Sequence, residues 1–162
     1  MLVAAIADTH LPRGERRLPA ECLERLAAAD LIVHAGDVSS LRAFEELRAI
    51  GPPVHAVHGN TDEPALRELL PERLVVDAGE AHIGLVHIPG PAPGREARLT
   101  AAFPGCAAVV FGHTHLPVVE RHDGVWLLNP GSPTERRRSP FHSMIEIEIE
   151  HGEARPELVR LE

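Results

Sequence analysis

The chain has no lysine and no tyrosine, and its aromatic side chains are four Phe and one Trp, 3% of 162 residues. Single-stranded nucleic acid is usually held on stacked aromatic faces, so that mode of binding is not expected. Cys22 and Cys106 are too few for a disulfide framework and fall in a helical and a strand-like run, which implies buried free thiols and a reducing compartment. No apolar run reaches the roughly 18 residues of a membrane span. The chain opens directly on a strand-like stretch, residues 2–7, without the basic flank and apolar segment of a signal peptide, so the expected location is the cytoplasm. Positive charge is also scarce. Sixteen basic residues, all Arg, stand against 24 acidic ones and leave −8, which opposes attachment to nucleic acid or to an anionic membrane. The Arg-only usage, with abundant Ala, Gly and Pro, reflects a GC-rich coding bias and lowers the information in any single Arg.

What remains is an aliphatic core of Val, Leu, Ile and Ala in a chain of modal domain size, enough to bury roughly 70% of its unfolded surface. One domain, 1–162, is expected. Strand-like runs at 2–7, 31–35 and 54–57 alternate with helical patterns at 19–29, from Ser39 as N-cap to Ile50, and at 64–70. Strand, polar residue, helix thus occurs three times, implying right-handed crossovers and a parallel sheet whose carboxyl ends gather polar groups on one rim. From Arg73 strand pairs take over: 74–77 with 82–88, then 107–111 after a helix at 95–103, then 118–121 and 125–128 around the turn His122-Asp123-Gly124. Ile145, Ile147 and Ile149 alternate with Glu146, Glu148 and Glu150, the pattern of an outer strand with one wet, charged face.

Five short motifs stand where apolar runs end: Asp8-Thr9-His10, Gly36-Asp37-Val38, Gly59-Asn60-Thr61-Asp62, His87, and Gly112-His113-Thr114-His115. Singly, each is an ordinary turn or an ordinary histidine. Together they are the donor set of a two-metal hydrolytic centre. Two divalent ions about 3.5 to 4 Å apart need a shared anionic ligand, and Asp37, following a glycine at a strand end, can offer both oxygens as the bridge. Imidazoles and an amide oxygen then suit Mn, Fe, Zn, Ni or Co better than Ca or Mg. Two such ions, with Asp8, Asp37 and a bridging hydroxide, keep net positive charge to meet an anionic phosphoryl group, and the hydroxide is the nucleophile.

These residues resemble the calcineurin-like metallophosphoesterases, and closely the small single-domain YfcE-like phosphodiesterase subgroup. All five motifs occur in order, with His-Ala-Gly-Asp at 34 to 37 and Asn129-Pro130-Gly131-Ser132, which typifies the subgroup. The resemblance implies a four-layer αββα sandwich of two mixed β-sheets flanked by helices. It also implies one metal on Asp8, His10, Asp37 and His115 and a second on Asp37, Asn60, His87 and His113, with Mn as the first choice of metal. Asp37, Asn60 and His113 would then serve catalysis on a small phosphorylated substrate, with a homo-oligomer as one possible assembly. The chain departs from the pattern twice. Thr61 stands where larger members carry a general-acid histidine, so alkoxide leaving groups should turn over slowly and activated aryl diesters faster. His87 precedes Ile88-Pro89-Gly90 where the family usually has His-Gly. Two rival functions stay open: a non-catalytic scaffold, as the retromer complex contains a subunit of this fold, and a phosphomonoesterase or nucleotidase.

Outside the seven, His34, His55, His58 and His82 lie on strand-like runs and suggest hydrogen-bonded core or supporting roles, with His58 a candidate substitute acid. Asp62 would orient Asn60 or cap the next helix. Asn129 is either a supporting contact or a turn former. Arg13, Arg16 and Arg17, and the run Arg136 to Arg138, read either as solvated surface or as phosphate contacts near the site mouth.

Overall fold

The computed structural model describes residues 1–14 and 16–162. Ten strands form two five-stranded sheets. In the first, β1 (Leu2–Ile6), β2 (Leu31–His34) and β3 (Val54–Ala56) run parallel, joined by α1 (Ala20–Ala28) and α2 (Leu41–Arg48). Two antiparallel strands from the C-terminal region, β9 (His142–Glu150) and β10 (Glu153–Leu161), complete the order β10-β9-β1-β2-β3. After α3 (Pro64–Leu69), the second sheet takes β4 (Arg73–Ala78), β5 (Ala81–Val86), β6 (Ala108–Phe111), β7 (Val118–His122) and β8 (Val125–Asn129) in the order β4-β5-β6-β8-β7, with α4 (Arg95–Ala102) between β5 and β6.

The apolar pattern of the strands explains the layering. Val3, Ala5, Val33, Ile83, Val110 and Ile145 meet between the sheets, and the alternate residues Ala4, Ile6, Ile32 and Met144 pack outward against Cys22 and Leu26 of α1 and Leu47 of α2. On the far side, Val109, Phe111 and Leu127 receive Leu99 of α4 and Phe103. The result is the expected αββα sandwich, with strands buried on both faces reading as continuous apolar runs. Both cysteines are buried free thiols; Cys22 is on α1 and Cys106 lies just before β6.

Three expectations need correction. The Ile/Glu strand β9 is an interior strand, hydrogen-bonded to β1 and β10, and its charged face meets Arg25 of α1 through Glu146 (3.1 Å). The edge on that side belongs to β10, whose buried residues change face between Leu158 and Val159, so no single period-two pattern announces it; Pro156 is tolerated on an edge strand. The N-cap of α2 is Ser40, whose hydroxyl accepts from the Ala43 amide, because Ser39 is held at φ 97° with its own amide on Asp62. His82 and His55 are exposed, and His82 pairs with Asp77 at 2.8 Å. The hairpin between β7 and β8 is present as expected, its turn residues Asp123 and Gly124 both at positive φ (49° and 84°), the mirror-type turn whose twist matches the strands.

Candidate metal centre

All seven candidate donors converge on one rim. Asp8 and His10 follow β1, Asp37 follows β2, Asn60 follows β3, His87 follows β5, and His113 with His115 follows β6. A strand end delivers each motif because the sheets are in register there. The amides of Asp8, His10 and Leu11 donate to the carbonyls of Gly36, Asp37 and Val38, carrying the β1–β2 alignment into the loops.

These loops are bent in a way that composition conceals. Asp8, His10, Asp37, His113 and His115 all have left-handed backbones, φ 46° to 72°. Each costs a non-glycine residue roughly 1–2 kcal/mol and needs surrounding structure to hold it. Asp62 provides part of that hold: its carboxylate accepts from the amides of Asp37 (3.2 Å), Gly59 (2.7 Å) and Ser39 (2.6 Å). This corrects the expected roles: Asp62 neither bonds the Asn60 side chain nor caps α3, whose N-cap residue is Glu63. Arg67 donates to the carbonyls of Asp62 (2.9 Å) and Asn60, pinning the same loop. Gly59 is obligatory, since a Cβ there would collide with the Asp37 carboxylate, and one at Gly36 would meet the His87 ring.

The Asn-Pro-Gly-Ser segment is bound into the rim. Asn129 is both turn former and support: its amide donates to the Gly112 carbonyl (3.1 Å) and the Thr114 hydroxyl (3.0 Å), and its oxygen accepts from the Gly131 amide (2.9 Å). Ser132 donates to the Asp8 carbonyl (2.7 Å), and Thr134 to that of Thr9 (2.6 Å). His34, fully buried, bonds the Thr9 hydroxyl through Nε2 (3.0 Å) and accepts from the Gly36 amide at Nδ1 (3.1 Å), a supporting role as expected.

Lone pairs face one another across the centre. His87 donates from Nδ1 to the Ala35 carbonyl (2.8 Å), which leaves Nε2 as an acceptor 3.2 Å from Asp37 Oδ2 and 3.1 Å from Asn60 Oδ1. Asn60 Oδ1 is also 3.0 Å from His113 Nδ1. His115 donates from Nδ1 to the Glu135 carbonyl, leaving Nε2 3.4 Å from Asp8 Oδ1 and 3.2 Å from His10 Nε2. Donors held about 2.1 Å from a common ion lie about 3.0 Å apart at a right angle and about 3.4 Å apart at a tetrahedral angle, so this spacing fits metal coordination. Asp37 Oδ2 lies 3.8 Å from His10 Nε2 as well, so one oxygen faces both halves, whereas Oδ1 accepts from the Thr61 amide (2.9 Å). Oδ2 is thus the oxygen that faces the other donors, while Oδ1 is engaged by the Thr61 amide. Asp8, His10 and His115 form one group that could hold a metal ion, and Asp8, Asp37 and His87 another.

The side chains alone lack positive charge. Asp8 Oδ1 is buried with no hydrogen-bond partner among the described residues. Burial pushes the Asp8 carboxyl up to about 7, the His87 charge opposing and the Asp37 charge adding to that rise. Burial works against a charged His87, yet in the absence of a cation the neighbouring Asp37 and Asp8 carboxylates raise it above the ordinary imidazole range. Burial lowers His10, and lowers His115 to about 4. A buried Asp8 carboxyl that draws a proton in, beside His10 and His115 imidazoles kept neutral, is the donor chemistry of a cation site.

Glu135 is the rim residue that sequence reasoning missed. Its Oε2 is buried without a hydrogen-bond partner among the described residues, 3.6 Å from His10 Nε2, and its carbonyl anchors His115. No motif marks it; only its distance downstream of Asn-Pro-Gly-Ser placed it near the mouth.

Fold and donor set together define a metal-dependent phosphoesterase. The model of the calcineurin-like phosphoesterase superfamily domain matches residues 1–152, and the chain belongs to that superfamily. It is 33% identical over 153 residues to a probable metallophosphoesterase of Methanocaldococcus jannaschii, covering 93% of this chain and 77% of the relative. A probable metallophosphoesterase of Methanothermobacter thermautotrophicus is 30% identical over 162 residues, 99% of this chain and 92% of that one. In structure, the chain is similar to Vps29 of Entamoeba histolytica crystallised with Zn²⁺, with a TM-score of 0.77, 27% identity and 99% of each chain covered. No helix among the described residues is long and apolar enough to cross a membrane.

Proposed function

We propose that the protein is a phosphodiesterase with a dinuclear centre, acting on small phosphorylated substrates in the cytoplasm. One observation carries this reading: acceptor atoms of Asp8, His10, Asp37, Asn60, His87 and His115 point at one another across gaps sized for cations. Asp8, His10, Asp37 and His115 would hold one ion, and Asp37, Asn60, His87 and His113 the other. When bound, the two divalent ions supply Lewis acidity toward the phosphoryl group and lower the pKa of a coordinated water toward ~7. Mn is the favoured metal, and the Zn²⁺ in the Vps29 crystal supports a borderline transition ion.

The protein's own groups divide the work by exposure. Asp8 and His115 are fully buried and keep solvent from the deep half. Asn60 and His113 stand exposed at the rim, where an amide and an imidazole can meet phosphoryl oxygens. The Thr61 hydroxyl lies 3.4 Å from His10 Nδ1, a position from which a threonine offers no acid of useful strength. His58 is half-buried with Nδ1 on the neighbouring Gly59 carbonyl (3.3 Å), so it does not face the donors as a substitute acid would. Bis-aryl phosphates with good leaving groups are therefore the preferred test substrates.

Chelator treatment should abolish hydrolysis of bis(p-nitrophenyl) phosphate and Mn²⁺ addition should restore it; activity indifferent to chelation removes the mechanism. The likeness to Vps29 favours a second reading, a non-catalytic scaffold. All seven donor positions are filled here, which a scaffold does not require, and useful turnover decides between the two.

A further inference from the structure

Three arginines from two loops close on Glu135 beside the deep half of the centre. Arg13 Nη1 lies 3.4 Å from Oε1, and Arg16 Nη1 and Arg137 Nη2 lie 3.5 and 3.8 Å from Oε2. One carboxylate cannot neutralise three guanidiniums, so this corner carries excess positive charge on a chain whose net charge is −8. Two further observations point to a ligand. Arg16 Nη1 is buried and makes no hydrogen bond among the described residues, its 3.5 Å approach to Glu135 Oε2 being a charge contact only, so a strong donor keeps unused hydrogen-bonding capacity. Arg137 sits at φ 48°, an unfavourable backbone conformation for a non-glycine residue, and its guanidinium lies against the same Glu135 oxygen as that of Arg16.

The side chains of Arg13 and Arg137 are 68% and 48% exposed, so they can leave Glu135 for an incoming anion, whereas Arg16, at 21%, is preset. Glu135 fixes the cluster to the His10 side of the mouth, since its Oε2 approaches His10 Nε2 at 3.6 Å. Guanidinium forks match phosphate oxygens in a way an exposed surface pair does not.

We propose that Arg13, Arg16 and Arg137, gathered by Glu135, form a subsite for a second phosphate group of the substrate, so that the preferred substrates are phosphodiesters carrying an additional terminal phosphate. This rests on the phosphodiesterase reading above and narrows its substrate class. Thymidine 5′-(p-nitrophenyl phosphate) and its 3′-phosphorylated counterpart differ only in that second group. For the wild-type protein, kcat/KM favours the 3′-phosphorylated ester by about tenfold or more, and the double substitution Arg16→Gln with Arg137→Gln brings the ratio toward one. Arg17→Gln, an exposed neighbour without a carboxylate partner among the described residues, keeps the wild-type ratio. In a second arm that needs no turnover, calorimetry follows pyrophosphate binding to chelator-treated protein, with thermal unfolding confirming that each variant is folded. The double variant loses about tenfold in pyrophosphate affinity. A wild-type ratio near one, or a double variant with the wild-type ratio and pyrophosphate affinity, overturns the subsite. Should neither ester be hydrolysed with any metal, the phosphodiesterase reading fails and pyrophosphate binding alone decides whether the anion subsite stands.

Discussion

On one side of Asp37, the candidate donors Asp8, His10 and His115 are sealed from solvent; on the other, Asn60 and His113 are exposed and only His87 is buried. The sealed half takes Asp8 and His10 from the first sheet and His115 from a loop pinned by the Glu135 carbonyl, with Ser132 and Thr134 tying down the Asp8 and Thr9 backbone. The open half borrows Asn60 from the loop after the three-residue edge strand β3. Depth and support thus separate a preorganised pocket from an accessible one. A preorganised pocket retains an ion; an accessible one exchanges it and meets the substrate.

The widest effect is expected at Asp37, the proposed shared ligand. Asp37→Asn keeps the shape of the side chain but removes the charge that Oδ2 presents to His10 and His87. Loss of both ions, and a fall in diester hydrolysis on the order of 10³-fold or more, is expected from losing several kcal/mol of charge stabilisation. Elemental analysis of the purified variant alongside turnover checks it. Two ions retained at wild-type affinity would show that Asp37 is not the shared ligand.

Next in size is the contrast between neighbours on one loop. His115→Ala empties a fully buried donor position, so the deep ion is lost together with folding stability, measured as metal content and Tm. His113→Ala removes an exposed donor, so Tm moves little while the second ion binds weakly and kcat falls. Equal stability losses in the two variants would break the distinction between a sealed and an open half.

The strand ends made this comparison legible before the fold was known. A buried parallel strand is a continuous apolar run, and a polar residue that stops it must lie at the sheet rim, so Asp8, Asp37, Asn60, His87 and His113 could be placed from pattern alone. Backbone sign could not. Nothing in Asp8-Thr9-His10 declares two left-handed residues, because φ there is imposed by hydrogen bonds to the β2 loop. Asp62 was likewise visible as a residue but not as a clamp, since its partners Asp37 and Ser39 are more than twenty positions away in sequence. Strand β10 escaped because its buried residues switch face between Leu158 and Val159, and Glu135 escaped because its place depends on how Ser132 and Thr134 fold the chain back onto the Asp8 loop.

Asp62 gives a smaller effect that sharpens the comparison. Asp62→Asn retains volume but loses the charge that three amides share. Metal affinity should fall by about 10- to 100-fold, the usual result of losing an outer contact that orients a ligand. Competition with a chromophoric chelator measures it, and the open half should be affected more, because Asp62 also holds the Gly59 amide ahead of Asn60.

The smallest effect concerns His34, which belongs to neither half but supports the floor beneath both. Burial first, then the His87 charge, lowers its pKa to about 3, from the ordinary value of 6.5. A neutral buried imidazole stabilises the fold fully above the unfolded pKa. As pH falls below about 6.5 the unfolded chain takes up a proton that the folded chain refuses, and the stabilisation is lost progressively until the folded pKa near 3. In chelator, where no ion contributes, His34→Gln should therefore show a shallower fall of Tm between pH 6 and pH 4.5 than the wild type. The difference is at most one proton's worth, about 1.4 kcal/mol per pH unit, or about 4 °C for a domain of this size. Above pH 7 the two slopes should coincide, whatever the absolute cost of the substitution. Identical slopes below pH 6 would mean that His34 is protonated in the native state, and that the Thr9 hydroxyl and the Gly36 amide do not meet a neutral ring.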